Sequence, residues 1–468
     1  MLKPNLSLTC LATLALISSA EAGGFSLYTE GSAAAIGNFA AGIAAEGADA
    51  AVGWYNPAGL VLLKKQQMLL GGVGVLPSTS LTGTTSYTTL NPFGGLSFPY
   101  GDTFRHLQGG QAAAVPSFHY ARPLGPKATF GFSVLSPFGL STDYPLNSPV
   151  RYVATLSQLE TLNVSPELGG VLTDYLSIGA GLDLQYARVV FNRVIGSPAL
   201  MGIFDLPPDT LDSEIYNSGD SFGLGFHAGA LLRFHEDHTR LGVNYQSGVR
   251  HQFNGKSRLT GRLADTTLNI FDPVAANPSA TAFSNSLYSN DITLPSSVTL
   301  SAYQDLNTEW ALLGSVVYVG WHTFRSITLN NVLVGAPLPD GSGTQLTTAN
   351  STTNENYRDT WRIALGANYH VTPQWMMRVG GGYDKTPTVN ADRDVRLPDS
   401  SRVALSIGSH YQWRPSLGFD VGYTYLFGIQ EATVNTAQPI GTRSLSQVNA
   451  TASNHAQLVG LQAVWTMD

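Results

Sequence analysis

The sequence predicts an all-β protein: a 14-stranded antiparallel transmembrane β-barrel plugged by a small N-terminal hatch. Three observations lead there: an export leader, a low-charge composition rich in glycine and aromatics, and apolar–polar alternation cut by connections that are short and long in turn.

The leader comes first. Lys3 supplies a positive start, Leu6 to Ile17 a short apolar core, and Ala20 and Ala22 the small residues of a cleavage site. Cleavage after Ala22 makes residues 1–22 a signal peptide and Gly23 the first mature residue. The apolar stretch is short for a retained membrane anchor. Cys10, the only cysteine, leaves with the leader and sits too early for a lipoprotein cysteine. The mature chain then needs no redox chemistry.

Composition narrows the class. The formal net charge of −7 argues against nucleic acid as a partner. Charged residues make up 12% of the chain, alongside 49 glycines, 20 tyrosines and 20 phenylalanines. Soluble domains carry roughly twice that charge fraction. No later run reaches the roughly 20 apolar residues of a membrane helix. Trp310 to Trp321 is too short and reads as strand. A secreted, weakly charged, aromatic chain without long apolar runs fits an outer-membrane barrel of a Gram-negative bacterium.

The strands show in the alternation. In "SLGFDVGYTYLFGI" Leu417, Phe419, Val421, Tyr423, Tyr425 and Phe427 share one face, and Gly418, Asp420, Gly422 and Thr424 the other. "WRIALGANYH", "RVALSIGSHYQW" and "LSIGAGLDLQY" alternate in the same way. A soluble sandwich also alternates. Aromatics at the ends of the apolar faces favour the barrel, and so does the order of connections. Six are tight: "RPLGPK", "LTDY", "HEDH", "DLNTE", "VTPQ" and "WRPS". Between them lie seven long segments near 79–110, 137–151, 196–219, 257–293, 327–357, 386–400 and 431–454. Six turns and seven loops join 14 strands and put both termini on the periplasmic side. The segments 309–325 and 455–467 alternate poorly, and "WTMD" is an unusual non-aromatic ending.

Residues 23–63 fall outside the wall, which occupies 64–468. Their Ala- and Gly-rich sequence is too apolar for a free tail and suits a plug whose short helices satisfy their own backbone groups. At its end stands "WYNPAGLVLL". Pro57 fixes its own φ and keeps Asn56 extended, so the Asn56 amide can reach unpaired backbone of the wall. The local chemistry also fits a plain turn that ends the plug before the first strand.

The chain resembles the FadL family of outer-membrane transporters, which includes TodX-type aromatic hydrocarbon channels. The resemblance rests on "GGFSLYTEGSAAAIGNFAAGIAAEGADAAVGWYNPAGL", "LSPFGLSTDYP", "LSIGAGLDLQYARVVFNR", "FGLGFHAGALLRF" and "YRDTWRIALGANYHVTPQWMMRVGGGYDKTPTVNADRDVRLPDSSRVALSIG". It implies passive uptake of hydrophobic molecules, long-chain fatty acids first and aromatic or alkane hydrocarbons second. Outer loops capture the ligand, a lumen site holds it, hatch movement releases it, and a kink in strand 3 lets it out sideways into the membrane. By the same resemblance Phe25, Arg193 and Arg358 bind ligand. Arg358 stands in for a family basic residue that aligns near Thr353. Asn56, Pro57 and Ala58 hold hatch to kink. Ala113, Ser136, Pro137, Phe138, Gly139 and Gly229 form the lateral opening. Pro137 suits a broken ladder because it has no N–H to give. The implied object is a monomer surrounded by outer-membrane lipid and lipopolysaccharide, or by detergent once purified.

Two other classes compete. A general porin wants a charged constriction and an open bore, which the apolar N-terminal segment opposes. A barrel enzyme needs a nucleophile with His and an acid, and no G-x-S-x-G spacing stands out. "HEDH" at a tight turn is four polar residues where polar residues belong. The sequence calls for no metal and no cofactor, and no enzymatic chemistry.

Overall fold

The computed structural model describes residues 24–90, 97–338, 341–440 and 444–467. The expected leader, Cys10 and Gly23 lie outside them. Fourteen wall strands follow one another around a cylinder: β1 (Gln66–Leu90), β2 (Ala113–Pro123), β3 (Ala128–Leu135), β4 (Leu156–Val171), β5 (Leu176–Phe191), β6 (Ser213–Phe234), β7 (Thr239–Gln246), β8 (Ser297–Asp305), β9 (Trp310–Val319), β10 (Thr360–Thr372), β11 (Trp375–Asp384), β12 (Arg402–Arg414), β13 (Leu417–Gly428) and β14 (Ser444–Met467). Each pairs antiparallel with the next, and β14 returns to β1 from Gln66↔Met467 to Thr89↔Ser444. Pairing of the last strand with the first closes the sheet, so neither terminal strand is an open edge.

The six tight turns join the strands where the sequence puts them. At "HEDH" three consecutive residues, His235, Glu236 and Asp237, take positive φ of 50°, 56° and 72°. The long segments differ from plain loops. Eight further strand pieces, among them Gly139–Asp143, Val249–Gly261 and Asn285–Leu294, extend the sheet above the membrane. Parts of 79–110 and 431–454 belong to β1 and β14 themselves. Above the lipid an outward side chain no longer has to be apolar, so the ladder continues while its alternation disappears.

Within the lipid zone the alternation is sharp: Leu182 is 63% exposed and its neighbour Asp183 is 4% exposed. The poor alternation of β9 and β14 has a packing cause. Their inward Leu313, Leu458 and Val464 face apolar hatch residues such as Ile36, Phe39 and Trp54 rather than water.

Residues 24–63 fill the bore. Helical turns α1 (Ala33–Ile36), α2 (Ile43–Glu46) and α3 (Val52–Tyr55) lead into a 3-10 turn, Pro57–Leu62. Turns this short cannot satisfy their own termini, and wall side chains do it for them. Gly42 N–H donates to Ser315 Oγ at 2.8 Å, Ala44 N–H to Ser301 Oγ at 3.2 Å, and Thr424 Oγ1 donates to the Ile36 carbonyl at 2.7 Å. Small residues let the backbones touch: a Cβ placed on Gly37 would lie 2.9 Å from the Gly408 Cα.

A candidate ligand chamber beside a break in the wall

The third strand breaks where the sequence places Pro137. β3 pairs with β4 up to Leu135↔Asn163, and pairing resumes only at Gly139↔Glu160. Residues 136–138 lean into the bore. Thr161 caulks the excursion: its Oγ1 accepts from Phe138 N–H at 3.0 Å and donates to the Phe138 carbonyl at 2.6 Å, while Ser136 Oγ donates to the Thr161 carbonyl at 2.5 Å. On the other side the register of β2 with β3 runs from Phe118↔Val134 to Pro123↔Thr129. The gap shuts again above, where Gly110 bridges Thr142 and Asp143 N–H donates to the Gly109 carbonyl at 2.8 Å.

The first described residues of the hatch dock on this kink as a strand. Leu27 N–H donates to the Pro137 carbonyl at 2.9 Å, Gly139 N–H donates to the Phe25 carbonyl at 2.9 Å, and Ser26 bridges Phe138. Phe25 therefore has a fixed place. Its ring lies 4.7 Å from Trp321, 5.1 Å from Phe324, 6.1 Å from Phe138 and 6.3 Å from Tyr357, centroid to centroid. Edge-on aromatic packing of this kind adds to simple area burial.

Above Phe25 is an apolar cavity walled by residues such as Leu140, Val189, Phe253, Ile292 and Leu397. It shares Phe191, Ile327, Glu355 and Arg396 with a more polar cavity lined by Arg193 and Thr353. The two are one elongated chamber: a greasy floor and a charged mouth. The Arg193 side chain has no hydrogen-bond partner among the described residues. Burial, and next the nearby Arg396 charge, pull its guanidinium down to about 10. Arg396 is compensated: it donates to Asp394 Oδ2 at 2.6 Å and to the Val153 carbonyl. Burial, and next the Asp394 charge, push the Glu355 carboxyl well above the usual carboxylate range. The mouth thus offers two cations and an acid held toward its neutral form, which is the electrostatics that receives an anionic head.

Several expected positions move. Phe25, Ala113 and 136–139 gather at the gap, and Arg193 lies beside Thr353 at the chamber mouth. Arg358 does not join them: it is exposed, its backbone N–H donates to the Pro387 carbonyl at 3.0 Å, and Arg396 takes the second cationic place. Gly229 lies away from the opening. It is on β6 near the periplasmic end, paired with Gly179 and Asn244 and pressed against the Asn56 side chain. Asn56, Pro57 and Ala58 do not bond the kink either. The Asn56 amide donates to the Ala44 carbonyl at 2.7 Å and the Ala230 carbonyl at 3.0 Å, and its Oδ1 accepts from Ala58 N–H at 3.1 Å. Pro57 packs on Gly169 and Gly179. The triplet rivets the hatch to β4–β6, and the kink is held by Phe25 and Leu27 instead. Sequence reasoning missed Arg396, Glu355, Trp321, Phe324 and Tyr357. The dense charge of "ADRDVRLPDSSR" inside a long loop was the available signal that this loop folds inward.

A profile of one family, described as outer membrane protein transport protein (OMPP1/FadL/TodX), matches residues 13–467. The chain belongs to that family. An Escherichia coli relative named long-chain fatty acid transport protein is 28% identical over 89% of this chain and 89% of its own length. A FadL homologue from Pseudomonas aeruginosa shares the fold with a TM-score of 0.76 and 23% identity, covering 94% of this chain and 99% of its own. The Pseudomonas putida toluene transporter TodX superposes with a TM-score of 0.59 at 15% identity, covering 96% and 99%. Membership of the OMPP1/FadL/TodX family places the protein in the outer membrane of a Gram-negative bacterium, among transporters of hydrophobic small molecules.

Proposed function

We propose that the protein carries long-chain fatty acids across the outer membrane by loop capture, lumen binding, hatch movement and lateral release at the β3 kink. In this reading residues 1–22 are removed, 23–63 form the moving hatch and 64–468 the barrel. The observation that carries it is the double use of one segment. Phe25 floors the chamber, and the same three residues, 25–27, hydrogen-bond the kink. A ligand that displaces the Phe25 ring pulls on the seal of the gap. An acyl chain fits the apolar floor, and its carboxylate fits Arg193 and Arg396. Similarity to fatty acid transporters supports the same ligand. In purified protein, a detergent or lipopolysaccharide acyl chain fits the same space.

A second ligand class, aromatic or alkane hydrocarbon, is favoured by the ring cluster around Phe25. Uptake of labelled oleate against toluene, in a strain lacking its own transporter, separates the two. Arg193→Ala removes a charge-assisted contact and lowers apparent oleate affinity by about tenfold, with toluene uptake unchanged. If neither compound enters faster than in the empty strain, the reading fails. Free passage of chloride or small sugars through purified protein in planar bilayers favours a porin.

A further inference from the structure

The wall has a second discontinuity. β6 pairs with β7 from His227 to Phe234, and with the Val249–Gly261 strand from Ser213 to Asp220. Between these ladders, Ser221 to Phe226 have no ladder partner on that side. Only the ends are stitched: Ser247 N–H donates to the Phe226 carbonyl at 2.8 Å, and Gln252 N–H to Ser221 Oγ at 3.2 Å. The slit lies in lipid-facing wall, since Phe222 and Leu224 on its border are 79% and 75% exposed.

Its stopper is one side chain. Val249 is buried, with one methyl over Gly223 and the other over Gly225; a Cβ on Gly225 would lie 2.9 Å from Val249 Cγ2. Two glycines this close in a strand weaken it and mark a close approach. Behind the stopper is a cavity that reaches Pro137 and Phe138 on its far side. Its lining differs from that of the upper chamber. Asn163, Gln185, Gln246, Ser247 and Ser297 supply amides and hydroxyls, Asp183 supplies a carboxylate, and no described Lys or Arg takes part. A carboxylate head meets cations above and an acid below. A hydroxyl head meets donors and acceptors throughout, with Trp54, Val319 and Phe138 beside its chain.

Resting on the transport reading above, we propose that the β6/β7 slit is a second lateral portal, stoppered by Val249 and used by neutral hydroxylated amphiphiles such as long-chain alcohols. The double variant Gly225→Cys/Val249→Cys places two thiols across the slit, within the span of a disulfide. Labelled hexadecanol and oleate are then offered to cells carrying the oxidised or the reduced form. Oxidation drops hexadecanol uptake to the level of cells without the protein, leaves oleate uptake unchanged, and reduction restores the alcohol. The single variant Val249→Ala, which needs no cross-link, raises hexadecanol uptake above wild type. Hexadecanol uptake that is indifferent to the cross-link, or to Val249→Ala where the cross-link does not form, overturns the portal. Wild-type protein that carries neither compound overturns the transport reading itself.

Discussion

The two breaks in the wall are stopped by different parts of the molecule. At β2/β3 the seal is hatch backbone, bonded from Phe25 and Leu27 to the kink, and it doubles as the floor of the ligand chamber. At β6/β7 it is a wall side chain, Val249, seated on two glycines. On the transport reading proposed above, the first seal has ligand on one side and the hatch behind it, which would couple occupancy to opening. The second is ordinary packing, whose opening depends on size and not on the chamber above. A break in a barrel is thus a gate only to the degree that its stopper also touches ligand.

Removing the first break altogether tests the contrast most severely. Deletion of Pro137 alone, which brings Leu135↔Asn163 and Gly139↔Glu160 into one register and lets β3 run on against β4, sends oleate uptake to the level of cells without the protein. Heat-modifiable migration of the folded barrel checks that the wall has survived. Retained oleate uptake breaks the distinction between the two seals.

A smaller effect comes from loosening the hatch without touching either break. Asn56→Ala removes two buried donations, to Ala44 and Ala230, and the cap on Ala58. Loss of these bonds weakens hatch docking by roughly 2 kcal/mol. Hydrogen exchange across residues 44–58 rises, while exchange of the β1–β14 ladder stays as it was. If both rise together, hatch and wall unfold as one unit.

The smallest effect is pH-dependent. Asp49 accepts from Ala51 N–H at 2.9 Å and from the Gln462 amide at 2.9 Å. Burial, and next the Asp420 charge, push its carboxyl up to about 6, from an ordinary value of 3.8. A raised acid destabilises the docked hatch only when ionised. The cost is absent below the ordinary value, grows as pH rises, and is complete above about 6, at about 3 kcal/mol in order of magnitude. Exchange protection of residues 49–55 is therefore higher at about pH 5 than at about pH 7.5, after correction for intrinsic rates. Asp49→Asn flattens the difference.

The wall was legible because lipid imposes a rule on every second residue. Leu182/Asp183 and Phe419/Asp420 obey it, and the six turns followed directly. The rule lapses above the membrane, so the extensions of β1 and β14 read as loops. It also lapses where the inside is greasy, so β9 and β14 looked irregular. At the site, Pro137 announced the break by its chemistry. Arg396 did not announce itself, because its place depends on how the loop after β11 folds back over the bore. The Asn56 amide reaches the Ala44 and Ala230 carbonyls and not the kink, because its place is set by three-dimensional packing of the triplet on Gly179 and Gly229, which no local pattern encodes.

The ladder between β1 and β14 has a consequence for biogenesis. It is the seam of the cylinder, running from Gln66↔Met467 to Thr89↔Ser444, and it joins the two ends of the chain. The hatch precedes β1 directly, while its hydroxyl anchors Ser301, Ser315 and Thr424 belong to strands translated much later. The plug is therefore made before its anchors and stands next to β1, ready to be enclosed as the seam zips. Assembly machinery that shut the seam early would deliver an empty tube that leaks, so the order of closure is itself a safeguard for the cell envelope.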